Sequence, residues 1–482
     1  MAGSIKKNYI YNLINTVSGI LFPLITFPYV SRALLADGIG QVQFFDSIIS
    51  YISLVTSLGI PLYAVRELAR IRDDVQARNK MTIELILLHS ALTLLGYIIV
   101  FTMAVTVEKI QADVPLFLLL SASLFFNAIG VSWFYTAVED FKYITVRSLL
   151  VRVCSVIALF IFVKTREDLL YYAAIQVMAT VGNNIFNFIR LRKYICWDMS
   201  CLSGLQFKKH LQVSLRLFVL NLIVSLYVIL DSVMLGFLKD DAAVGYYAGA
   251  MRMTKIVLGI VTSLGVVLLP RFSNLLSTGK RGEFVNLGNK AISFTLAMVL
   301  PMTVGLILLA QPIILLFCGE SYEPSILTLQ ILAPIIIFIG FSGLLGMQVL
   351  YPLGYEKLVI RATLLGAILN ITLNLLLIPR YSQYGAAVAT FAAELTVMLT
   401  VLLAGKKHLP FRFLSRQNRE YVVATILMTA VLLPLNFCGF NRWQSIVLCP
   451  LLGCVVYFGY LTWRKDPFYL TVRKIITKKL RA

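Results

Sequence analysis

Residues 39–62 read IGQVQFFDSIISYISLVTSLGIPL, and residues 244–270 read VGYYAGAMRMTKIVLGIVTSLGVVLLP. Each stretch opens on a glycine, Gly40 or Gly245, at a predicted hairpin. An apolar run follows, then Thr-Ser-Leu-Gly at Thr56 to Gly59 and at Thr262 to Gly265. The spacing is 205 residues at the glycines and 206 at the second motif, a fixed long period that signals an internal repeat. Six apolar runs fit within one period. An even number of membrane crossings returns each copy in the same orientation, so the pattern predicts two parallel six-helix lobes related by an axis along the membrane normal. A weaker third echo, Tyr384, Gly385 and Ala386, opens the twelfth run.

Working outward, the runs lie near 9–30, 41–64, 82–107, 114–138, 149–163, 169–189, 211–236, 246–270, 291–311, 326–351, 358–378, 386–405, 421–438 and 445–463. A spanning helix takes roughly 20 residues, so fourteen spans consume most of the 482 residues and leave no room for a folded extramembrane domain. Composition agrees. The chain is 59% apolar and 14% charged at a mean hydropathy of +0.84, whereas a water-soluble domain is about 45–50% apolar and about 25% charged. The expected fold is an all-α integral membrane protein of about 14 transmembrane helices: a six-helix lobe over 1–195, a second over 196–405, and two further helices with a basic tail over 406–482. The first run follows Lys6 and Lys7 but is too long for a signal-peptide core and ends without a cleavage site, so it reads as a span.

Lys and Arg outnumber Asp and Glu by 43 to 23, a formal charge of +20. The excess alternates from loop to loop as the positive-inside rule expects. One side holds both termini, the loops with Arg66, Arg70, Arg72, Arg78 and Lys80, those with Arg190, Arg192, Lys193, Lys208 and Lys209, and those with Lys406, Lys407, Arg412, Arg416 and Arg419. Both termini are therefore expected in the cytoplasm. Charge dealt into separate segments beside anionic lipid is not the single basic face of a nucleic-acid binder. The tail from Arg464 to Arg481 reads as a membrane-surface anchor. The seven cysteines are scattered and form no disulfide framework; Cys196 and Cys201 with His210 lack the second pair that a zinc site would need.

A charge at mid-membrane costs about 2.5–3.5 kcal/mol on insertion scales, so such residues are functional candidates. They are Asp46, Asp231, Arg252, Lys255 and Glu394, with Arg32 at the outer end of the first span. Arg32 and Asp46 are each seven residues from Ile39, and Asp231 and Arg252 lie nine and eleven residues either side of a turn at Asp240 and Asp241, which predicts one ion pair per hairpin at similar depth. The same symmetry supplies no partner for Lys255, making it the stronger substrate-contact candidate. Glu394 suits cation coupling. His89 suits a proton relay or a hydrogen-bonded core position. Asn183, Asn184, Asn187, Asn370 and Asn374 fit interhelical hydrogen bonding better than cavity lining. Gly19, Pro23 and Pro28 favour a bend in the first span, and Asp240 and Asp241 read as turn or cap residues.

Several segments resemble a known family: PYVSRALLADGIG at 28–40, SLGIPLYAVRELAR at 57–70, DSVMLGFL at 231–238, VGYYAGAMRMTKIVLGI at 244–260 and GESYEPSILTLQILAPIIIFIG at 319–340. In order and spacing they look like Wzx-type polysaccharide flippases of the multidrug/oligosaccharidyl-lipid/polysaccharide exporter superfamily. The resemblance implies two six-helix lobes around a central cavity, two further helices, and alternating access across a bacterial inner membrane. It implies as substrate a sugar repeat unit linked to undecaprenyl pyrophosphate, with a polysaccharide polymerase and a chain-length regulator as partners. The cations it would place against pyrophosphate or acidic sugars match Arg32, Arg66, Arg252 and Lys255, the first two nearer portals or gates. Related lipid II flippases use several arginines in the first spans, a density these early spans lack.

Two rival functions remain. A drug or cation exporter of the same fold needs an acidic cavity, against which Lys255 argues. A membrane glycosyltransferase or polymerase needs catalytic carboxylates and a substantial loop, and the outer loop with Glu320 and Glu323 is short. No phosphate loop, metal-ligand cluster or nucleophile elbow is apparent, so no cofactor is expected.

Overall fold

The computed structural model describes residues 5–195, 205–435 and 440–466. Cys196, Cys201, Cys438 and most of the basic C-terminal tail lie outside them. The described residues are helical with no strand, as lipid demands of backbone groups that find no water to bond. In chain order the helices are α1 (Ile5–Ser57), α2 (Ile60–Arg70), α3 (Val75–Thr106), α4 (Glu108–Gln111), α5 (Val114–Ile129), α6 (Ser132–Ala137), α7 (Phe141–Phe162) and α8 (Leu169–Leu191). There follow α9 (Phe207–Leu238), α10 (Asp241–Ser277), α11 (Arg281–Leu308), α12 (Ala310–Phe317), α13 (Ser325–Leu332), α14 (Ile335–Ser342), α15 (Glu356–Gly405), α16 (Arg416–Leu435) and α17 (Arg442–Trp463).

Every predicted run overlaps helix among the described residues. Nine helical stretches among the described residues are long and apolar enough to cross a membrane, and two of these contain a break, at Leu35 in α1 and at Ser382 in α15. Leu94, Val105 and Leu403 are 68%, 73% and 67% exposed, an arrangement suited to lipid contact and costly in water. Carboxylates mark several starts: Asp74, Asp113 and Asp140 accept from the backbone N–H groups of Ala77, Leu116 and Tyr143, each cap contributing about 1 kcal/mol. Asp240 does the same for Ala243 at 2.8 Å, the cap role expected of it. Between α7 and α8, the Lys164 and Thr165 N–H groups hold the Asp168 carboxyl below its ordinary range.

Contacts divide the chain into two compact units, Met1–Gly245 and Tyr246–Ala482. In the first, α1 packs on α3, α5, α7 and α9, and α5 on α8; in the second, α11 packs on α14 and α16, and α15 on α13 and α14.

Three sequence expectations need correction. The first hairpin turns at Leu35, not near Ile39, so Arg32 lies three residues from the turn and Asp46 eleven, and the equal-depth construction fails there; the second turns at Lys239 and Asp240, between α9 and α10. Gly40 and Gly245 are not turn residues but crossing points. A Cβ on Gly40 would lie 1.7 Å from the Asp241 carbonyl oxygen, and one on Gly245 1.9 Å from that of Ala36; only glycine lets the two backbones approach so closely. The second predicted run stops at Ser57 rather than 64, because Leu58 and Gly59 turn left-handed and Pro61 sits in the first turn of a separate helix, α2. Conversely, dihedrals stay helical through Pro23 and Pro28.

Candidate functional site

The sequence-predicted charges fall in both units. In the first, Asp231 is buried at 3% exposure within electrostatic reach of Tyr51, Asp46 is half-buried, and Arg32 is exposed, its guanidinium donating back to the Pro28 carbonyl. Arg66 lies on the exposed face of α2 and pairs with Glu67 at 2.8 Å, beside the Arg70–Glu67 pair at 3.3 Å. In the second unit, Arg252 is half-buried and Lys255 exposed, three residues apart on α10, and Glu394 is buried in α15. Arg32, Asp231, Arg252 and Lys255 all engage partners, so Lys255 is not the free cation that hairpin symmetry suggested. His89 is buried, and its Nδ1 finds no hydrogen-bond partner among the described residues.

Asn183, Asn184 and Asn187 bond between helices, as expected. Asn184 donates to Asn127 at 2.9 Å and Asn187 to the Gly130 carbonyl at 2.6 Å, while Asn374 donates to Asn370 at 3.1 Å within α15. Asn183 and Asn187 also receive a residue that sequence reasoning missed. The Arg147 guanidinium donates to Asn183 Oδ1 at 2.9 Å and to Asn187 Oδ1. Five residues on, Arg152 donates to the Asn15 carbonyl at 2.9 Å and to the Ser18 hydroxyl. A Cβ at Gly19 would stand 3.4 Å from that guanidinium, which ties the glycine to a packing role. A buried arginine held by neutral oxygens keeps its charge without an acid, at the cost of fixing α7 against α1 and α8.

A second missed cluster joins α2, α3 and α9. Tyr63 Oη lies 2.8 Å from His210 Nδ1, and His210 Nε2 lies 2.8 Å from Glu84 Oε2. The other carboxylate oxygen accepts the Gln206 N–H at 2.9 Å. All three side chains are buried, at 3%, 5% and 3% exposure. His210 therefore has a carboxylate and a phenol as neighbours, and among the described residues no group of His, Cys, Asp and Glu could hold a metal ion. Such a cluster is stable only when each polar atom is satisfied, and it then pins three helix ends together.

The second unit contains an apolar groove of about 410 Å³ between α10, α11, α16 and α17, lined by Ile260, Met302, Leu306, Met428, Leu432 and Phe458 among others. Its walls offer an alkyl chain dispersion contacts and almost no hydrogen bonds.

Comparison with known proteins narrows what these parts serve. A family profile described as polysaccharide biosynthesis protein matches residues 5–276, and one described as MatE matches residues 217–376. The chain is 24% identical over 401 residues to a protein of Escherichia coli (strain K12) provisionally named O-antigen transporter, covering 83% of this chain and 96% of that one. It is similar in structure to the lipid II flippase MurJ in an inward closed conformation, with a TM-score of 0.73 at 18% identity over 95% of this chain and 99% of that one. A multidrug resistance MATE family transporter in an inward-facing conformation gives a TM-score of 0.61 at 14% identity over 81% and 94%. At these identities the two structures share the fold.

Proposed function

The chain belongs to the family of polysaccharide biosynthesis proteins, and on that premise we propose that it is a flippase moving lipid-linked oligosaccharides across a membrane. It is a multi-pass membrane protein that transports rather than catalyses. The observation that carries this reading is the match over 83% of the chain to the K12 transporter, within a fold shared with a lipid II flippase.

The finer reading is a substrate on undecaprenyl pyrophosphate, picked up at the cytoplasmic face of a bacterial inner membrane. Its polyprenyl chain suits the apolar groove of the second unit. Its anionic head suits the cations Arg252 and Lys255, with the exposed Arg32 and Arg66 at portals, where a surface position fits a passing ligand better than a fixed one. Asp46, Asp231, Glu394 and His89 are the coupling or ion-pair candidates; burial of Asp231, Glu394 and His89 supports a role in which a charge or proton is exchanged during movement. The alternation of basic loops supports fourteen spans with both termini in the cytoplasm, arranged as lobes 1–195 and 196–405 plus two helices. A polymerase and a chain-length regulator are the expected partners on the outer face.

The test is genetic. In cells lacking this chain, lipid-linked oligosaccharide should accumulate on the cytoplasmic face and surface polymer should disappear. Restored surface polymer with Lys255→Ala at normal protein level would remove Lys255 from the substrate path.

A further inference from the structure

A polar cavity of about 600 Å³ opens at one end of the first unit, lined by Lys7, Asn8, Tyr11, Arg72, Asp73, Arg78, Val138, Glu139, Asp140, Lys142 and Tyr194. Four helix ends build it: the start of α1, the α2–α3 loop, the α6–α7 turn and the end of α8. Its acids are already engaged or turned to solvent. Arg72 pairs with Glu139 at 3.1 Å, Arg190 pairs with Asp140 at 2.7 Å, and the Asp73 side chain is 97% exposed. Its cations are not balanced in the same way. Lys7 and Lys142 form no ion pair among the described residues. Arg78 is held in place by the Arg72 carbonyl at 3.0 Å and the Tyr194 carbonyl at 3.4 Å, with the Phe134 ring 5.9 Å beneath it. Its Nε is buried without a hydrogen-bond partner among the described residues, an unsatisfied charged donor of the kind that costs free energy unless a ligand completes it. The opposite end of the same unit differs: there Arg166 pairs with Asp37, and Lys109 pairs with Asp241 at 3.0 Å.

We propose that this cavity is a binding site for a phosphate group, most naturally that of an anionic phospholipid. Two lysine ammoniums and a planar guanidinium on the cavity wall match the oxygens of a phosphate. The cavity exceeds a bare phosphate and accommodates an attached glycerol. Its tyrosines and basic loops sit where a chain of this topology meets lipid headgroups, and basic pockets between helix ends there take anionic headgroups. The proposal rests on the cavity alone and stands whether or not the chain is a flippase.

Native mass spectrometry of the purified full-length protein, titrated with phosphatidylglycerol or phosphatidylcholine, tests it. The wild-type protein should bind phosphatidylglycerol in preference to phosphatidylcholine. The Lys7→Gln/Lys142→Gln double variant should bind phosphatidylglycerol about twenty-five-fold more weakly, each cation beside an anionic lipid contributing about fivefold. Lys280→Gln, an exposed cation in the second unit, should behave as wild type. Both lysines are surface residues, so the double variant should fold, and an unchanged melting temperature checks this. Displacement of phosphatidylglycerol by millimolar inorganic phosphate or pyrophosphate would retain the phosphate site and assign it to a soluble ligand. Equal phosphatidylglycerol binding by wild type and double variant, or no preference over phosphatidylcholine, would overturn the proposal.

Discussion

The two copies of Thr-Ser-Leu-Gly share four residues and differ in what the chain does with them. At Thr56 to Gly59 the helix ends: Leu58 and Gly59 have φ of 45° and 72°, and Pro61 starts a new helix. At Thr262 to Gly265 the helix α10 runs straight on to Ser277. The next proline there is Pro270, and the missing side chain of Gly265 instead makes room for Gln348, whose Nε2 would stand 2.3 Å from an added Cβ. Gln348 belongs to a π-helical stretch, Gly343–Leu350. The glycines that open the copies, Gly40 and Gly245, behave alike, each passing a backbone carbonyl at less than contact distance for a Cβ. The repeat is thus symmetric where two backbones cross and divergent where one unit needs a break. The break sends α2 toward α3, α6 and α9 and brings Tyr63 to His210.

The largest effect should come from the crossing. Gly40→Val and Gly245→Val both drive a side chain into backbone that cannot rotate away, beyond the about 4–5 kcal/mol that marks severe substitutions. Neither variant should yield folded protein in membranes, judged by monodisperse recovery. Tolerance of one but not the other would show that the crossing is not reciprocal.

Next in size is the cluster that the break makes possible. Glu84→Leu strands a buried imidazole and phenol and should destabilise by about 3–5 kcal/mol, while Tyr63→Phe should cost about 1 kcal/mol. Thermal unfolding of the Glu84→Leu/His210→Leu double variant should show it milder than the sum of its singles. Additive losses would mean that the two residues act independently.

Smallest is the contrast between the motif glycines. Gly59→Ala forces a left-handed residue to carry a Cβ and should cost about 1–2 kcal/mol. Gly265→Ala meets only the end of a flexible side chain, so Gln348→Ala should rescue it by melting temperature, whereas no side-chain change should rescue Gly59→Ala.

Much of this was legible in the sequence because lipid demands so much of local pattern. Each apolar run overlaps helix among the described residues, and Asp240 was readable as a cap because its carboxylate needs only a neighbour three residues on. The misplaced boundary at Ser57 had its signal in Gly59 and Pro61, outweighed by the apolar Ile60 and Leu62 around them. Gly40 and Gly245 were visible as repeated but not as a crossing, since their contacts are two hundred residues away along the chain. Arg147, Arg152 and Glu84 were missed for a related reason. Each stands near the end of a predicted run, where a long polar side chain reads as reaching for headgroups, and only the fold turns Arg147 toward Asn183 and Asn187, Arg152 toward Asn15 and Ser18, and Glu84 toward His210.

The central claim is that the chain carries a lipid-linked oligosaccharide. Reconstituted in vesicles with a fluorescent undecaprenyl-pyrophosphate oligosaccharide, the wild-type protein should equilibrate the label between leaflets, read as the fraction accessible to an impermeant quencher, and Lys255→Glu should slow that exchange. No exchange above protein-free vesicles, together with export of a cationic dye by the same preparation, would contradict the claim and make the chain a drug exporter.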